Sequence, residues 1–585
     1  MSADPGKTAR TGAWLPALAW LRRYRRSDLR ADGVAGLITA VLLVPQAMAL
    51  GMLAGLPPQV GLYASVAAPI AYALFGSSRT LSVGPVAVAA IMVAEALAAP
   101  EVRAQGSALG NAVVLALECG AILLAMAALR LGMLVNFISH PVLAGFTIGA
   151  ATLILLSQLP PLLGVAAPAA LVAHEIVAAL LRELHAINWA TAALGAGSVL
   201  LLALAGGPLQ RRLRAGAAGE WALLAARAAP LAVVVAAVLV VAAFDLDRTR
   251  AVATVGPIPA GLSLPDAGIL RPGPWITLLP SALLIALVSY VESVSIAKII
   301  ANRVRERIHP NRELAALGAA NVAAALSGGM PVAGSFSRTT VNFAAGARTQ
   351  MASVVAALAI GATLLLLAPW FARLPNAALA AVIVVAVAPL VDWRAIRTLW
   401  HYERSEAAVL LLTLAGVLLL GIEIGLVLGL VTSLVAYIWR SSAPHVAVVG
   451  RIPGTEHFRN VARHDVETWP TLALIRVDES LTFVNIGVIE DFIVAHLARH
   501  PEVEHVVLVA SAINHIDSSA LEGLERLIAG LREAGVTVHL AEVKGPVLDA
   551  LERAGLPARM APGRVFFRTS EAVEALARAP LRTTG

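Results

Sequence analysis

Charge is scarce in this chain: Asp, Glu, Lys and Arg together make up 14% of its 585 residues, against 58% hydrophobic residues. An ordinary soluble domain carries about 25% charged residues, so this shortage, with a mean hydropathy of +0.79, excludes one. Cysteine is scarcer still. The single Cys119 lies inside an apolar run, which excludes a disulfide framework and a thiolate metal site. No P-loop, nucleophile elbow or metal-ligand cluster occurs, so neither an ATP-driven pump nor an enzyme is expected, and no cofactor. The opening "MSADPGKTARTGAW" lacks the basic, apolar and small-residue order of a removable signal peptide, and none is expected. The net charge of +7 would suit nucleic acid, but the basic residues sit at the ends of apolar runs rather than in one patch, so no nucleic-acid partner is expected.

What the chain has in abundance is long apolar runs. A helix crossing the ~30 Å bilayer core needs ~20 mostly apolar residues, and windows of that kind recur over residues 34–440. Twelve to fourteen can be separated, and the Gly/Pro-broken segments 82–98 and 327–350 cause the uncertainty. Arg10, Arg22, Arg23, Arg25, Arg26 and Arg30 precede the first run, which places the amino terminus in the cytoplasm. Arg211, Arg212 and Arg214, then Arg303, Arg305, Arg307 and Arg312, then Arg394, Arg397 and Arg404 all follow even-numbered runs, on the same side. Residues 1–33 read as a basic cytoplasmic arm and 34–440 as a membrane domain. Residues 443–580 read as a small α/β domain: "TLALIRV", "HVVLVA" and "VTVHLAEV" are strand-like, and "GVIEDFIVAHLARH", "SSALEGLERLIAGLREAG" and "GPVLDALERAGL" helix-like. An even number of crossings puts that domain in the cytoplasm too.

The two broken segments occupy corresponding positions in the two halves, as transporter binding sites do. "LSVGPVAVAA" and "PVAGSFSRTTV" each set Gly and Pro beside a run able to start a helix, and a helix start offers free N–H groups with partial positive charge. Two such ends facing one cavity would hold an anion without a metal. Val86, Ala87 and Val88 would supply N–H groups in the first segment. Ser335, Phe336 and Ser337 would do so in the second, with hydroxyls as extra donors. The plainer reading is that Gly and Pro only allow close helix packing. Arg338, at bilayer depth, costs at least ~2.5 kcal/mol to insert and should face a cavity or a partner; it would attract the anion or serve as counter-ion to Glu292. Glu292 is the lone acid of "LLIALVSYVESVSIAKIIA", where it would carry a proton or pair with Arg338 or Lys298. Tyr63 and Asn342 are weaker candidates that would satisfy nearby backbone. Glu118 and Glu423 are assigned no role.

Residues 44–90, "VPQAMALGMLAGLPPQVGLYASVAAPIAYALFGSSRTLSVGPVAVAA", with "SHPVLAGFTIGAA", "SYVESVSIAK", "GSFSRTTVN" and "NHIDSSALEGLERL" in order, resemble the SulP/SLC26 anion transporter family and its appended STAS domain. Leu50 departs from the tyrosine more usual there. The resemblance implies a polytopic α-helical membrane protein of 14 transmembrane segments, arranged as 7+7 inverted repeats with core and gate bundles (UraA-like), plus a small cytoplasmic α/β STAS domain. Segments 3 and 10 would be half-crossing, with helix starts facing each other. It also implies a homodimer in the lipid bilayer of a bacterial inner membrane. That protein would carry a small inorganic or carboxylate anion, sulfate first and bicarbonate or C4-dicarboxylates next, with a co-transported proton or sodium and elevator motion. The match makes Gln46 a hydrogen-bond donor to substrate. In "HIDSSALEG", Asp517, Ser518 and Ser519 start a helix, where a cap is expected rather than a phosphorylation site. A passive channel, a nucleobase:cation symporter and a signalling scaffold are the competing classes; the STAS segment and the serine–arginine pair oppose the symporter.

Overall fold

A computed structural model describes residues 16–22, 24–136, 139–166, 172–205, 229–257, 261, 272–366, 368–577 and 581–583. Arg10, Arg23, Arg211, Arg212 and Arg214 of the topology reading lie outside the described residues. The chain divides into two compact units, Met1–Ser433 and Leu434–Gly585.

The first unit is helical, as its Ala, Val and Leu content demands in a solvent that cannot satisfy open backbone. Among the described residues six helices are long and apolar enough to cross a membrane. Five more apolar helices of 10–17 residues accompany them, Ala87–Ala98 among the shortest. Helix pairing repeats between the two halves of the unit. Ala108–Ala128 packs on Pro272–Val304 and Pro310–Leu326, and Met351–Leu366 packs in the corresponding way on Arg26–Leu53 and Gln59–Phe75. Without a hydrophobic drive between helices in lipid, close approach depends on small residues. At Gly61 an added Cβ would fall on the Ala47 carbonyl oxygen, so Arg26–Leu53 and Gln59–Phe75 meet backbone to backbone. Gly120 and Gly318 do the same for Ala108–Ala128 and Pro310–Leu326, each Cβ position lying 3.0 Å from the other's carbonyl oxygen.

The second unit is the expected α/β layer. Leu472–Val477, His505–Val509, Thr537–Ala541 and Val565–Phe566 form a parallel run, extended by the antiparallel Val446–Arg451. Helices Ile486–Arg499, Ser518–Glu533 and Gly545–Arg553 alternate with these strands, and one face of the sheet buries Ile475, Leu508 and Leu540 among them. Near-continuous Val, Ile and Leu in these strands reflects burial on both faces. The other face buries Leu474, Val507 and Val509. There His539 accepts the Arg564 N–H at Nδ1 (3.1 Å) and so presents Nε2–H to Nδ1 of His505 at 3.3 Å. Burial, then the charges of His505 and Arg564, push the His539 imidazolium down to about 4. Asp517 caps the Ser518–Glu533 helix through the Ala520 N–H at 2.8 Å, the role expected of it.

Candidate functional site at two broken helices

The two segments singled out by Gly and Pro meet in the structure. Val83–Gly84 and Ala333–Gly334 form a two-stranded antiparallel crossing, Val83 opposite Gly334, and the Ser335 N–H extends it to the Ser82 carbonyl at 3.1 Å. A helix leaves each strand at once, Ala87–Ala98 from the first and Phe336–Ala344 from the second. Extended backbone inside a helical bundle needs partners for its polar groups, and neighbouring side chains provide them. The Ser293 hydroxyl accepts the Gly334 N–H at 2.8 Å. Thr339 Oγ1 accepts the Ser82 N–H at 3.1 Å. Asn321 brackets Val332, accepting its N–H at 2.9 Å and donating to its carbonyl at 3.0 Å. Asn342 donates to the Thr80 carbonyl at 3.0 Å, which is the backbone-satisfying role.

Neither helix start is closed by a capping side chain. The first ladder bond in one runs from the Ala90 N–H to Val86, and in the other from the Thr339 N–H to Ser335. The N–H groups of Ala87, Val88 and Ala89, and of Phe336, Ser337 and Arg338, therefore precede the ladders, whereas the Ser335 N–H, expected among the open donors, is taken by the Ser82 carbonyl. Each helix end carries roughly half a positive charge. Both border a cavity of about 400 Å³ lined by Gln46, Val86, Ala87, Val88, Glu292, Ser335, Phe336 and Ser337, with Ile383, Val385 and Val387 as an apolar opposite wall. Ser337 and Phe336 are exposed into this space, whereas Ser335 is buried. Leu50, where a tyrosine was expected, lines the same cavity.

Arg338 is placed differently from the others. It is buried, does not line the cavity, and donates from Nη1 to the Pro85 carbonyl at 2.6 Å. Gly84 makes room for it: a Cβ there would lie 3.3 Å from Nη2. Nε and Nη2 have no hydrogen-bond partner. Among the described residues neither Arg338 nor Lys298 forms an ion pair with Glu292 within 4.0 Å. The guanidinium thus stands behind the crossing, bracing the carbonyl that the chain break frees, while its charge adds to that of the two helix ends.

Two buried carboxylates that the sequence reading did not single out hold the flanking loops. Glu313 accepts the Ser77 N–H (2.8 Å), the Ser77 hydroxyl (2.6 Å) and the Tyr72 hydroxyl (2.6 Å), fixing the loop that leads into the first crossing strand. Asp32 accepts the Arg348 N–H (2.7 Å) and the Thr349 hydroxyl (2.6 Å), fixing the loop after the second half-helix. Their one sequence signal is an acid in the charged opening turns of a helix that is apolar further on.

Paired half-helices with open starts on one cavity, in a bundle built from two halves, define a polytopic membrane protein of the broken-helix type. The family model of the sulfate permease family matches residues 29–413 and that of the STAS domain residues 463–573. The chain belongs to the sulfate permease family and carries a carboxy-terminal STAS domain. It is 34% identical to the chloroplastic sulfate transporter 4.1 of Arabidopsis thaliana, over 96% of this chain and 82% of that one. It is also 34% identical to a probable sulfate transporter of Mycobacterium tuberculosis, over 98% and 99%. Its fold matches the inward-facing murine Slc26a9 anion transporter with a TM-score of 0.88 at 22% identity, over 98% of this chain and 95% of that one.

Proposed function

We propose that the protein is a secondary active transporter of small anions, with sulfate its first substrate. The observation that carries this reading is the pair of uncapped helix starts, with the Ser337 hydroxyl and Gln46, on one cavity. Converging N–H groups and helix dipoles recognise a small oxyanion without a metal. The names of the curated relatives support sulfate over other anions. Arg338 contributes positive potential from behind the crossing rather than a direct contact.

The mechanism follows from the two halves. Fourteen segments in two inverted sets of seven form a core bundle, which holds the half-helices, and a gate bundle, which includes Asn376–Val387. A second cavity of about 470 Å³ lies near Asn376 and Ala377, at the other end of that helix from Pro389 and Leu390 of the first, and both cavities touch Ile383. Sliding the core past this helix would present the site to each side in turn, which is elevator motion. Glu292, half-buried in the cavity wall with no ion pair among the described residues, takes up the coupling proton; sodium is the alternative driver. The protein works as a homodimer in a bacterial inner membrane with both termini cytoplasmic.

Uptake of labelled sulfate, bicarbonate and fumarate into proteoliposomes, each with and without a proton or sodium gradient, tests this. Sulfate uptake driven by an inward proton gradient is expected, and Glu292→Gln should leave residual flux that no longer responds to the gradient. Rapid flux indifferent to every gradient would make the protein a channel.

A further inference from the structure

A third cavity in the first unit, of about 610 Å³, shares no lining residue with the one between the helix starts. Its walls come from the loops Gly76–Thr80, Glu306–Arg312 and Ala347–Gln350, on the side that carries the basic loops. Four arginines line it, Arg79, Arg307, Arg312 and Arg348, against two carboxylates, Asp28 and Glu306. Both carboxylates are already engaged: Arg79 pairs with Glu306 at 3.2 Å and Arg348 with Asp28 at 2.9 Å. Among the described residues, the side chains of Arg307 and Arg312 have no ion pair or hydrogen bond. The Trp20 indole N–H, buried and without a hydrogen-bond partner, borders the same space.

We infer that this cavity is a binding site for a phosphate-bearing anion, gripped by Arg307 and Arg312. Two uncommitted guanidinium forks match the paired oxygens of a phosphate better than point charges would. The volume exceeds what a lone tetrahedral ion fills, leaving room for a headgroup or a second phosphate. Basic pockets at the loop ends of membrane helices meet the acidic headgroup layer, and the same chemistry would accept a soluble polyphosphate. The consequence for the molecule is mechanical. Gly76–Thr80 runs directly into the first crossing strand. Gln350, in the cavity wall, donates to the Ser78 and Leu81 carbonyls at 2.8 and 3.0 Å. A ligand bridging the three loops would therefore stiffen the ground from which the first half-helix starts and on which the second ends.

The test uses the full chain in phosphatidylcholine nanodiscs, titrated with pyrophosphate by calorimetry. Saturable binding near one per protomer is expected, weakened at least tenfold in Arg307→Gln/Arg312→Gln. Arg373→Gln, which removes an arginine paired instead with Asp245, should bind as the parent does. Because neither substituted side chain has a partner among the described residues, the ligand-free melting temperature of the double variant should match the parent and exclude misfolding. In discs containing phosphatidylglycerol, a raised melting temperature with displaced pyrophosphate identifies a lipid headgroup as the ligand. Pyrophosphate binding unaffected by that lipid identifies a soluble one. Absence of saturable binding, equal affinity in the double variant, or a loss of binding produced instead by Gln46→Ala in the other cavity overturns the inference.

Discussion

The two broken segments perform one backbone task with opposite chemistry. The first, from Thr80 to Ala90, offers mostly apolar side chains, the open amides of its helix start, and backbone groups such as the Pro85 carbonyl that take donors from elsewhere. The second, from Ala333 to Ala344, carries Ser335, Ser337, Arg338, Thr339 and Asn342. Three of those polar groups reach back to the first segment: Arg338 to Pro85, Thr339 to Ser82 and Asn342 to Thr80. The first segment can be almost wholly apolar because the second supplies its partners. Corresponding positions in the two halves therefore need not look alike: an attractive anion end needs backbone geometry, and polar side chains on one partner suffice to hold both.

Replacing Arg338 should break this dependence most severely. Arg338→Ala leaves the Pro85 carbonyl buried without a donor, at a cost of about 1–3 kcal/mol, and removes the nearby charge. Lost sulfate uptake with a lowered melting temperature is expected, and Arg338→Lys should recover the charge but not the brace. Unchanged sulfate affinity in a folded Arg338→Ala protein would reduce the residue to a structural one. A smaller effect is expected from Ser337→Ala, which removes an exposed donor: about fivefold weaker sulfate binding by calorimetry, near 1 kcal/mol, with the melting temperature unmoved. In the other helix start, Ala87→Ser, at the position matching Phe336 rather than Ser337, gives the first segment a hydroxyl and should tighten binding by a similar factor; weakening instead would show that the two segments are not interchangeable. Gly84→Ala crowds Arg338 Nη2 at 3.3 Å and should lower stability by less than about 1 kcal/mol, since a side-chain end can shift.

The smallest effect on neutral-pH uptake should come from His539, which separates acid effects on the STAS domain from those at Glu292. With a folded value of about 4 against 6.5, His539 is neutral in both states above pH 6.5. As pH falls from there towards 4 the unfolded chain takes the proton first, so up to ~3 kcal/mol of stability is lost across that window. Hydrogen exchange in Thr537–Ala541 should report the loss, and His539→Gln should flatten it while leaving gradient-driven uptake intact.

Much of this architecture was legible in the residues. Gly84 with Pro85, and Pro331 with Gly334, marked the breaks, because both residue types interrupt a helix for local reasons. The strands from "TLALIRV", "HVVLVA" and "VTVHLAEV" stood out for the same reason, continuous β-branched and aliphatic residues between turns. Val446–Arg451 was not picked out, since it follows the last apolar helix without a contrast in composition, and Phe458–Asn460 is too short to show a period. Nor did the sequence reveal what Arg338 holds. A carbonyl released by a break some 250 positions earlier has no sequence signature, and an arginine in an apolar stretch invites an anionic partner. Asp32 and Glu313 escaped notice because an acid near a helix start beside basic residues resembles a solvated one; their work on distant loops exists only in three dimensions.

The open helix starts have a thermodynamic corollary. Any anion that completes them binds the native state and not the unfolded chain, so it must raise stability by mass action, about 2.7 kcal/mol at a concentration one hundred times its dissociation constant. In an Arg307→Gln/Arg312→Gln background, the unfolding temperature in different salts therefore ranks ligands for the cavity between the helix starts without any flux being measured. Purification buffers rich in sulfate or phosphate set the apparent robustness of the fold as surely as its sequence does.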